Sequence, residues 1–211
     1  MAKRTHEDAE LTKQAILDSA FRLFSRRGYE STSLSDIARF AGVTRGAIYW
    51  HFKDKGQILV ELCEKVNLDR LKSDALAEAA DPREEDPLSK IMIWLKECGD
   101  DSSVQFYSSA LFSLVDKIMS GACGSDDVRQ KLKGMFEKRE ALVCSALRNS
   151  VLKKQLPADL NIEFAVDVLG SFICGFVEYM RMGKGEHLRR NYDRVVKGII
   201  SSFKENDLLH Y

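Results

Sequence analysis

The chain has 211 residues, of which 45 % are hydrophobic and 30 % are charged, so it can bury the core of one or two globular domains. Basic and acidic residues both number 32, so overall charge does not mark the chain as a ligand of polyanions. No apolar run approaches the roughly 20 residues that span a bilayer, and the start MAKRTHEDAEL lacks the apolar segment of a secretory signal, so we expect a cytoplasmic protein with no membrane partner.

Cysteine and histidine usage argues against a metal site, a cofactor or an enzyme. The cysteines are odd in number, form no CxxC pair and are expected to be reduced thiols of the core. The histidines lie in unrelated segments, and neither an HExxH motif nor a phosphate-binding glycine loop occurs. A small cytoplasmic helical enzyme is therefore only a remote alternative. The cysteines are Cys63, Cys98, Cys123, Cys144 and Cys174, and the histidines are His6, His51, His187 and His210.

The spacing of apolar residues predicts an all-helical chain. From Glu7 to Arg27 they recur every three or four positions, and Gly28 follows as a helix stop. Ser33 is a predicted N-cap of a second helix that ends near Phe40, because an acidic residue follows it three positions later. Thr44 is the predicted N-cap of a third, two-turn helix.

The remainder of the chain continues the helical pattern. A long helix is predicted from Asp54 to about Leu76, fading into AEAADPREEDP, an acidic loop flanked by prolines. Further helices are predicted at about 87–98, 103–120, 125–153, 160–182 and 187–205. We place a domain boundary at residue 55, which gives domains 1–55 and 56–211, and the helix that begins at Asp54 is expected to be shared by both.

Residues 33–55, SLSDIARFAGVTRGAIYWHFKDK, have the pattern of a DNA-binding helix-turn-helix. Ala38 is small enough to admit a second helix, and Gly42 tolerates the positive φ of the turn. Residues 1–55 carry a balance of +3, whereas residues 56–211 carry −3, so the positive charge coincides with this motif. The apolar positions expected to form its small shared core are Leu34, Ile37, Ala38, Ala41, Val43, Ile48 and Phe52.

The polar positions between those apolar residues are the candidate DNA contacts. Arg45 can make a bidentate hydrogen bond to guanine, and Gly46 beside it allows the backbone to approach the duplex. Tyr49 shares the face of Arg45 and can meet a thymine methyl group or a phosphate. The predicted phosphate-binding positions at the helix starts and at the groove edge are Ser33, Thr44, Trp50, His51 and Lys55.

The stretch TSLSDIARFAGVTRGAIYWHFKDK closely resembles the signature of the TetR family of bacterial regulators. Together with an LFSxxG-type first helix, here Leu23, Phe24, Ser25 and Gly28, it is most similar to the AcrR branch of multidrug efflux repressors. The resemblance implies a homodimer of nine-helix subunits whose recognition helices enter successive major grooves of a palindromic double-stranded operator. It also implies that residues 1–55 bind DNA and that residues 56–211, a helical bundle, dimerise and bind a small hydrophobic or amphipathic inducer that releases the DNA.

By the same resemblance, particular residues of the larger domain are candidates for ligand binding and dimerisation. The candidate ligand-binding residues are Trp94, Phe106, Tyr107, Phe136, Phe176 and Glu178. The candidate dimer contacts are Phe164, Val168, Ile173, Val177, Val195, Ile199 and Phe203. Two alternatives stay open at this point: the regulated genes could serve metabolism or stress rather than efflux, and the protein could activate rather than repress them.

Overall fold

A computed structural model describes residues 6–70, 74–99 and 107–205, with side chains described except at 66–70, 107–110 and 181. The regular elements in these ranges are helices, which confirms the predicted all-α fold. In chain order they are α1 (His6–Arg27), α2 (Leu34–Phe40), α3 (Arg45–His51), α4 (Lys55–Arg70), α5 (Ala75–Ala80), α6 (Pro87–Gly99), α7 (Tyr107–Met119), α8 (Asp126–Leu152), α9 (Ile162–Arg181), α10 (Glu186–Arg190) and α11 (Tyr192–Glu205).

The described ranges contain eleven helices where the sequence predicts nine, and two differences account for this. The segment predicted to fade into an acidic loop instead forms α5, which buries Ala75, Leu76 and Ala79 on one face. The loop begins only at Asp81, where the backbone becomes extended. The single helix predicted near the carboxyl end is divided into α10 and α11 at Asn191.

The chain packs into two compact units. Unit 1 comprises Met1–Asp69 with Val104–Gly134, and unit 2 comprises Arg70–Ser103 with Met135–Tyr211. This grouping by packing is a different division from the functional boundary at residue 55, which stays a prediction. The buried apolar residues of unit 1 include Ile16, Ala20, Phe21, Ile37, Ile48, Phe52, Ile58, Leu59 and Leu62. Those of unit 2 include Trp94, Leu95, Val143, Leu147, Ala165, Leu169, Phe176, Tyr192, Val196 and Phe203.

A helix that crosses a bilayer must be both long and apolar along its length. None of the described helices combines these two properties.

Candidate nucleic-acid interface

The two helices α2 and α3 are joined by the tight turn that the sequence predicts. Gly42 has φ +68°, a left-handed conformation that L side chains rarely adopt. The Val43 N–H donates to the Ala38 carbonyl at 3.0 Å, closing the turn. Ile37 and Ile48 are fully buried between the helices, as the predicted shared core requires. Leu34, Ala41 and Val43 are half-buried at its edge.

Both helices begin at the predicted N-cap residues. The Asp36 N–H donates to the Ser33 hydroxyl at 3.1 Å, and the Asp36 carboxylate accepts from the Ser33 N–H at 3.2 Å, which makes a reciprocal capping box. The Asp36 carboxylate also accepts from the Ser33 hydroxyl, and this bond is the main reason that the pKa of the Asp36 carboxyl is lowered. The bond from the Ser33 N–H lowers the same pKa further. The Ala47 N–H donates to the Thr44 hydroxyl at 3.1 Å. The orientation of α3 is therefore set by its own cap and by Ile48.

The outward surface of α3 consists of the residues predicted to contact DNA. Arg45 and Gly46 are exposed, and the side chains of Tyr49 and Trp50 are 56 % and 73 % exposed. Large aromatic side chains are usually buried, so two exposed ones on a two-turn helix favour a binding surface. The His51 ring packs edge-on against Trp50, with centroids 4.5 Å apart. No acidic residue occurs in α3, so its surface offers nothing that repels phosphate.

Lys55, the last of the predicted DNA contacts, is engaged within unit 1. Its ammonium donates to the Tyr29 carbonyl at 2.9 Å and lies 4.3 Å from the centroid of the Tyr29 ring. It is also 3.5 Å from a carboxylate oxygen of Glu30. This internal role was not predicted, because contact with a turn 25 residues away leaves no local pattern in the sequence. The contact of Lys55 with phosphate stays a prediction.

The candidate ligand-binding residues of unit 2 lie in different surroundings. Trp94 and Phe176 are buried, and the Phe176 ring packs 4.5 Å from that of Tyr192, so Phe176 contributes to the core. Phe136 is half-buried, with the Arg139 guanidinium 5.4 Å from its ring centroid. Glu178 is half-buried. Phe106 and the side chain of Tyr107 lie outside the described residues.

Unit 2 contains a cavity of about 320 Å³, and among the candidate ligand residues whose side chains are described, only Trp94 lines it. Its polar walls were not predicted, because the candidates in the sequence were almost all aromatic. The three- and four-residue spacing of the lining residues on α8 and α9 is the sequence pattern that could have identified these polar residues. The lining residues are Trp94, Arg139, Glu140, Val143, Val166, Asp167, Leu169, Gly170, Ser171, Ile173 and Cys174.

The candidate dimer residues divide by burial. Phe164 is exposed, which leaves its ring available to a partner. Phe203, in contrast, is completely buried in the core of unit 2, so its side chain belongs to the subunit interior and does not reach a partner surface. The remaining candidates, Val168, Ile173, Val177, Val195 and Ile199, are half-buried.

The described part of the chain contains no cluster of potential metal ligands. No group of three or more histidine, cysteine, aspartate or glutamate side chains there is placed to hold a metal ion. Burial raises the pKa of the Cys63 thiol to about 12, as expected for a cysteine that packs as a small apolar residue.

Comparison with known proteins agrees with this geometry. The family model described as "Bacterial regulatory proteins, tetR family" matches residues 16–62. The chain is 33 % identical to the HTH-type transcriptional regulator AcrR of Shigella flexneri over 180 residues, which cover 84 % of this chain and 82 % of AcrR. This confirms the resemblance to the AcrR branch.

Solved structures share the fold. A SmeT–triclosan complex has a TM-score of 0.73 at 22 % identity and covers 94 % of both chains. NalD, described as the secondary repressor of the MexAB-OprM multidrug efflux pump in Pseudomonas aeruginosa, has a TM-score of 0.69 at 22 % identity, covering 95 % of this chain and 99 % of NalD. The helix-turn-helix, its exposed recognition surface and the relative at 33 % identity lead to one assignment: the chain belongs to the tetR family of bacterial regulatory proteins and is a DNA-binding transcriptional regulator rather than an enzyme.

Proposed function

We propose that this protein represses a multidrug efflux operon, binding a palindromic operator as a homodimer and leaving it when a small hydrophobic or amphipathic compound binds unit 2. The observation that carries the DNA-binding part is the exposed, acid-free surface of α3, with Arg45 at its first turn and two exposed aromatic rings beyond it. The efflux assignment is supported by the role described for NalD and by the similarity to AcrR.

On DNA, Arg45 and Tyr49 read bases, while the neighbouring polar positions hold the backbone. The Arg45 guanidinium matches guanine O6 and N7 in the major groove. Gly46 lets the α3 backbone approach the duplex. The proposed phosphate contacts, which set orientation without reading sequence, are Ser33, Thr44, Trp50, His51 and Lys55.

Release by a ligand follows from linkage between two conformations. A dimer that reads two half-sites one helical turn apart needs recognition helices about 34–36 Å apart. A compound that binds a wider-spaced conformation more tightly shifts the population away from the DNA-binding one. The 320 Å³ cavity of unit 2 is within the range of small-molecule pockets, and its apolar wall includes Trp94 and Leu169.

The DNA-binding part is tested with a labelled duplex that spans the region upstream of the protein's own gene. Arg45→Ala is expected to reduce discrimination between this duplex and an unrelated one by about ten- to a hundredfold, while the variant stays folded and dimeric. Arg148→Ala, which removes the same charge from an exposed position on α8, is the matched control. Unchanged discrimination in Arg45→Ala would exclude the proposed base contact.

The ligand-binding part is tested with triclosan first, because SmeT is known in complex with it, and then with cationic dyes, bile salts and antibiotics. A ligand should raise the melting temperature and lower DNA affinity together. Gly170→Leu fills the cavity wall at a position where an added Cβ meets no atom within 4 Å, and it should abolish both effects. Gly175→Leu, equally open on the same helix but outside the cavity, is the control. A ligand response that survives Gly170→Leu would place the ligand elsewhere.

A further inference from the structure

A cluster around Glu30 joins three segments of unit 1 that are distant in sequence. Glu30 lies in the turn after α1, and one of its carboxylate oxygens accepts the Gly124 N–H at 2.6 Å. Its other oxygen is 3.5 Å from the Lys55 ammonium at the start of α4. One side chain therefore connects the turn between α1 and α2, the start of α4 and the turn that precedes α8.

Lys55 also binds the backbone of this turn. Its ammonium donates to the backbone carbonyl of Tyr29 and lies over the Tyr29 ring. The Lys55 side chain is only 26 % exposed, so these interactions are partly shielded from water. Because Lys55 is the first residue of α4, these interactions tie the start of that helix to the turn after α1.

The same cluster includes a close contact between the starts of α4 and α8. A Cβ added at Gly56 would lie 2.3 Å from Cγ2 of Val128, closer than real Cβ contacts occur. Val128 is itself buried in the first turns of α8. The absence of a side chain at Gly56 is therefore what lets the two helix starts touch.

The segment that supplies Gly124 is a hydrogen-bonded turn. Gly121 and Gly124 both have positive φ, at +79° and +78°. The N–H groups of Ala122 and Cys123 both donate to the Lys117 carbonyl at the end of α7. The bond from the Gly124 N–H is the largest influence that lowers the pKa of the Glu30 carboxyl, and the Lys55 charge adds to it. The turn thus presents the Gly124 N–H to a carboxylate that is charged at neutral pH.

We propose that Glu30, Lys55, Gly56, Gly124 and Val128, here called the latch, fix the position of the start of α4, and through it the recognition helix α3, relative to the start of α8. Displacement of α8 then breaks the bond between Glu30 and Gly124 and the contact between Gly56 and Val128, which releases the turn after α1 and the start of α4 together from α8 and lowers affinity for the operator. The helix is well placed for this, because Asp126–Gly134 belong to unit 1 and the rest of α8 belongs to unit 2. Arg139 and Val143, which line the cavity, follow Val128 about three and four turns along α8.

The inference rests on the proposed function for its effect on DNA, but the latch itself is testable without DNA or ligand. Amide hydrogen exchange is measured in the full chain for segments 120–128 and 45–57. Glu30→Ala should accelerate exchange in both segments, whereas Glu30→Gln, whose amide oxygen still accepts the Gly124 N–H, should have a smaller effect. Glu10→Ala, which removes an exposed carboxylate from α1, is the control and should change neither. Faster exchange confined to 120–128, or none at all, would overturn the latch.

A second measurement tests the consequence for DNA. Glu30→Ala should lower affinity for the upstream duplex by about two- to tenfold, the size expected for one hydrogen bond, and leave affinity for an unrelated duplex unchanged. Equal affinity of Glu30→Ala and the unmodified protein for the upstream duplex would overturn the regulatory role. If the unmodified protein itself ignores the upstream duplex, the proposed function has failed, and the exchange experiment alone decides whether the latch exists.

Discussion

Lys55→Met tests whether the contacts of the Lys55 ammonium within unit 1 stabilise the fold, which an ordinary surface lysine would not do. Methionine keeps the length and the apolar stem of the side chain but removes its charge and its donors. The variant can no longer form the hydrogen bond to the Tyr29 carbonyl at 2.9 Å, the cation–π interaction at 4.3 Å or the ion pair with Glu30 at 3.5 Å.

The size of the effect can be worked out from these three interactions. A hydrogen bond from a charged donor contributes about 1.5–3 kcal/mol when well shielded, and a cation–π interaction contributes about 0.5–1 kcal/mol. The ion pair adds little, because the Glu30 side chain is 61 % exposed and water screens it. Because the Lys55 side chain is still 26 % exposed, the lower ends of these ranges apply, and we expect the free energy of unfolding to fall by about 2 kcal/mol. This corresponds to a melting temperature lower by about 4–8 °C in a chain of this length.

The measurement is thermal unfolding followed by circular dichroism at neutral pH. Lys53→Met is the matched control, since Lys53 is an exposed lysine two residues away and only its backbone N–H has a hydrogen bond given by the structure, to Gln57. The control should melt within about 1–2 °C of the unmodified protein, as surface substitutions usually do. Equal melting temperatures for the two variants would show that the Lys55 ammonium contributes nothing to stability and would refute the reasoning.

Gly42→Ala should destabilise the protein by about 1–2 kcal/mol, because an L side chain is strained at φ +68°. Gly134→Ala should stabilise it by up to about 1 kcal/mol, because Gly134 lies in the middle of α8 and an added Cβ meets no atom within 4 Å. Urea unfolding of the two variants measures these opposite changes. Maleimide labelling followed by mass spectrometry should modify the exposed Cys174 first and the buried Cys63 last, and rapid labelling of Cys63 would contradict its burial. Folding lowers the pKa of the Glu30 carboxyl, so the contribution of its charged form to stability is complete above the ordinary pKa of 4.5 and disappears as the pH falls through the lowered value. The stability difference between the unmodified protein and Glu30→Gln should therefore be constant above about pH 5 and shrink below pH 4.5. A difference that grows with acid would contradict the assignment.

The helix-turn-helix could be predicted from sequence because its determinants are local. The capping role of Ser33 depends on Asp36 three residues away, and that of Thr44 on a backbone group three residues away. The positive φ at Gly42 is a property of a single position. Hydrogen bonds between residues three positions apart can be predicted without knowing the surrounding fold. The structure confirms the predicted starts of both helices.

Elements stabilised by distant contacts were harder to predict. The helix α5 has an acidic residue and nearby prolines, which favour a loop, but its buried face of Ala75, Leu76 and Ala79 stabilises it as a helix. The cavity of unit 2 brings Trp94, Asp167 and residues of α8 together from three helices. The positions that line it depend on how those helices pack, and apolar spacing alone does not specify a partner.

The amino-acid sequence by itself determined the helical content, the caps and turn of the DNA-binding motif, and which of its residues face outward, because each depends on neighbours within about one helical turn. Tertiary structure alone decided that the Lys55 ammonium binds the Tyr29 carbonyl, that Phe203 is an interior residue and that Glu30 reaches Gly124. The two hydrogen bonds join groups that are 26 and 94 residues apart in the chain, where helix packing rather than local preference sets the distance between atoms.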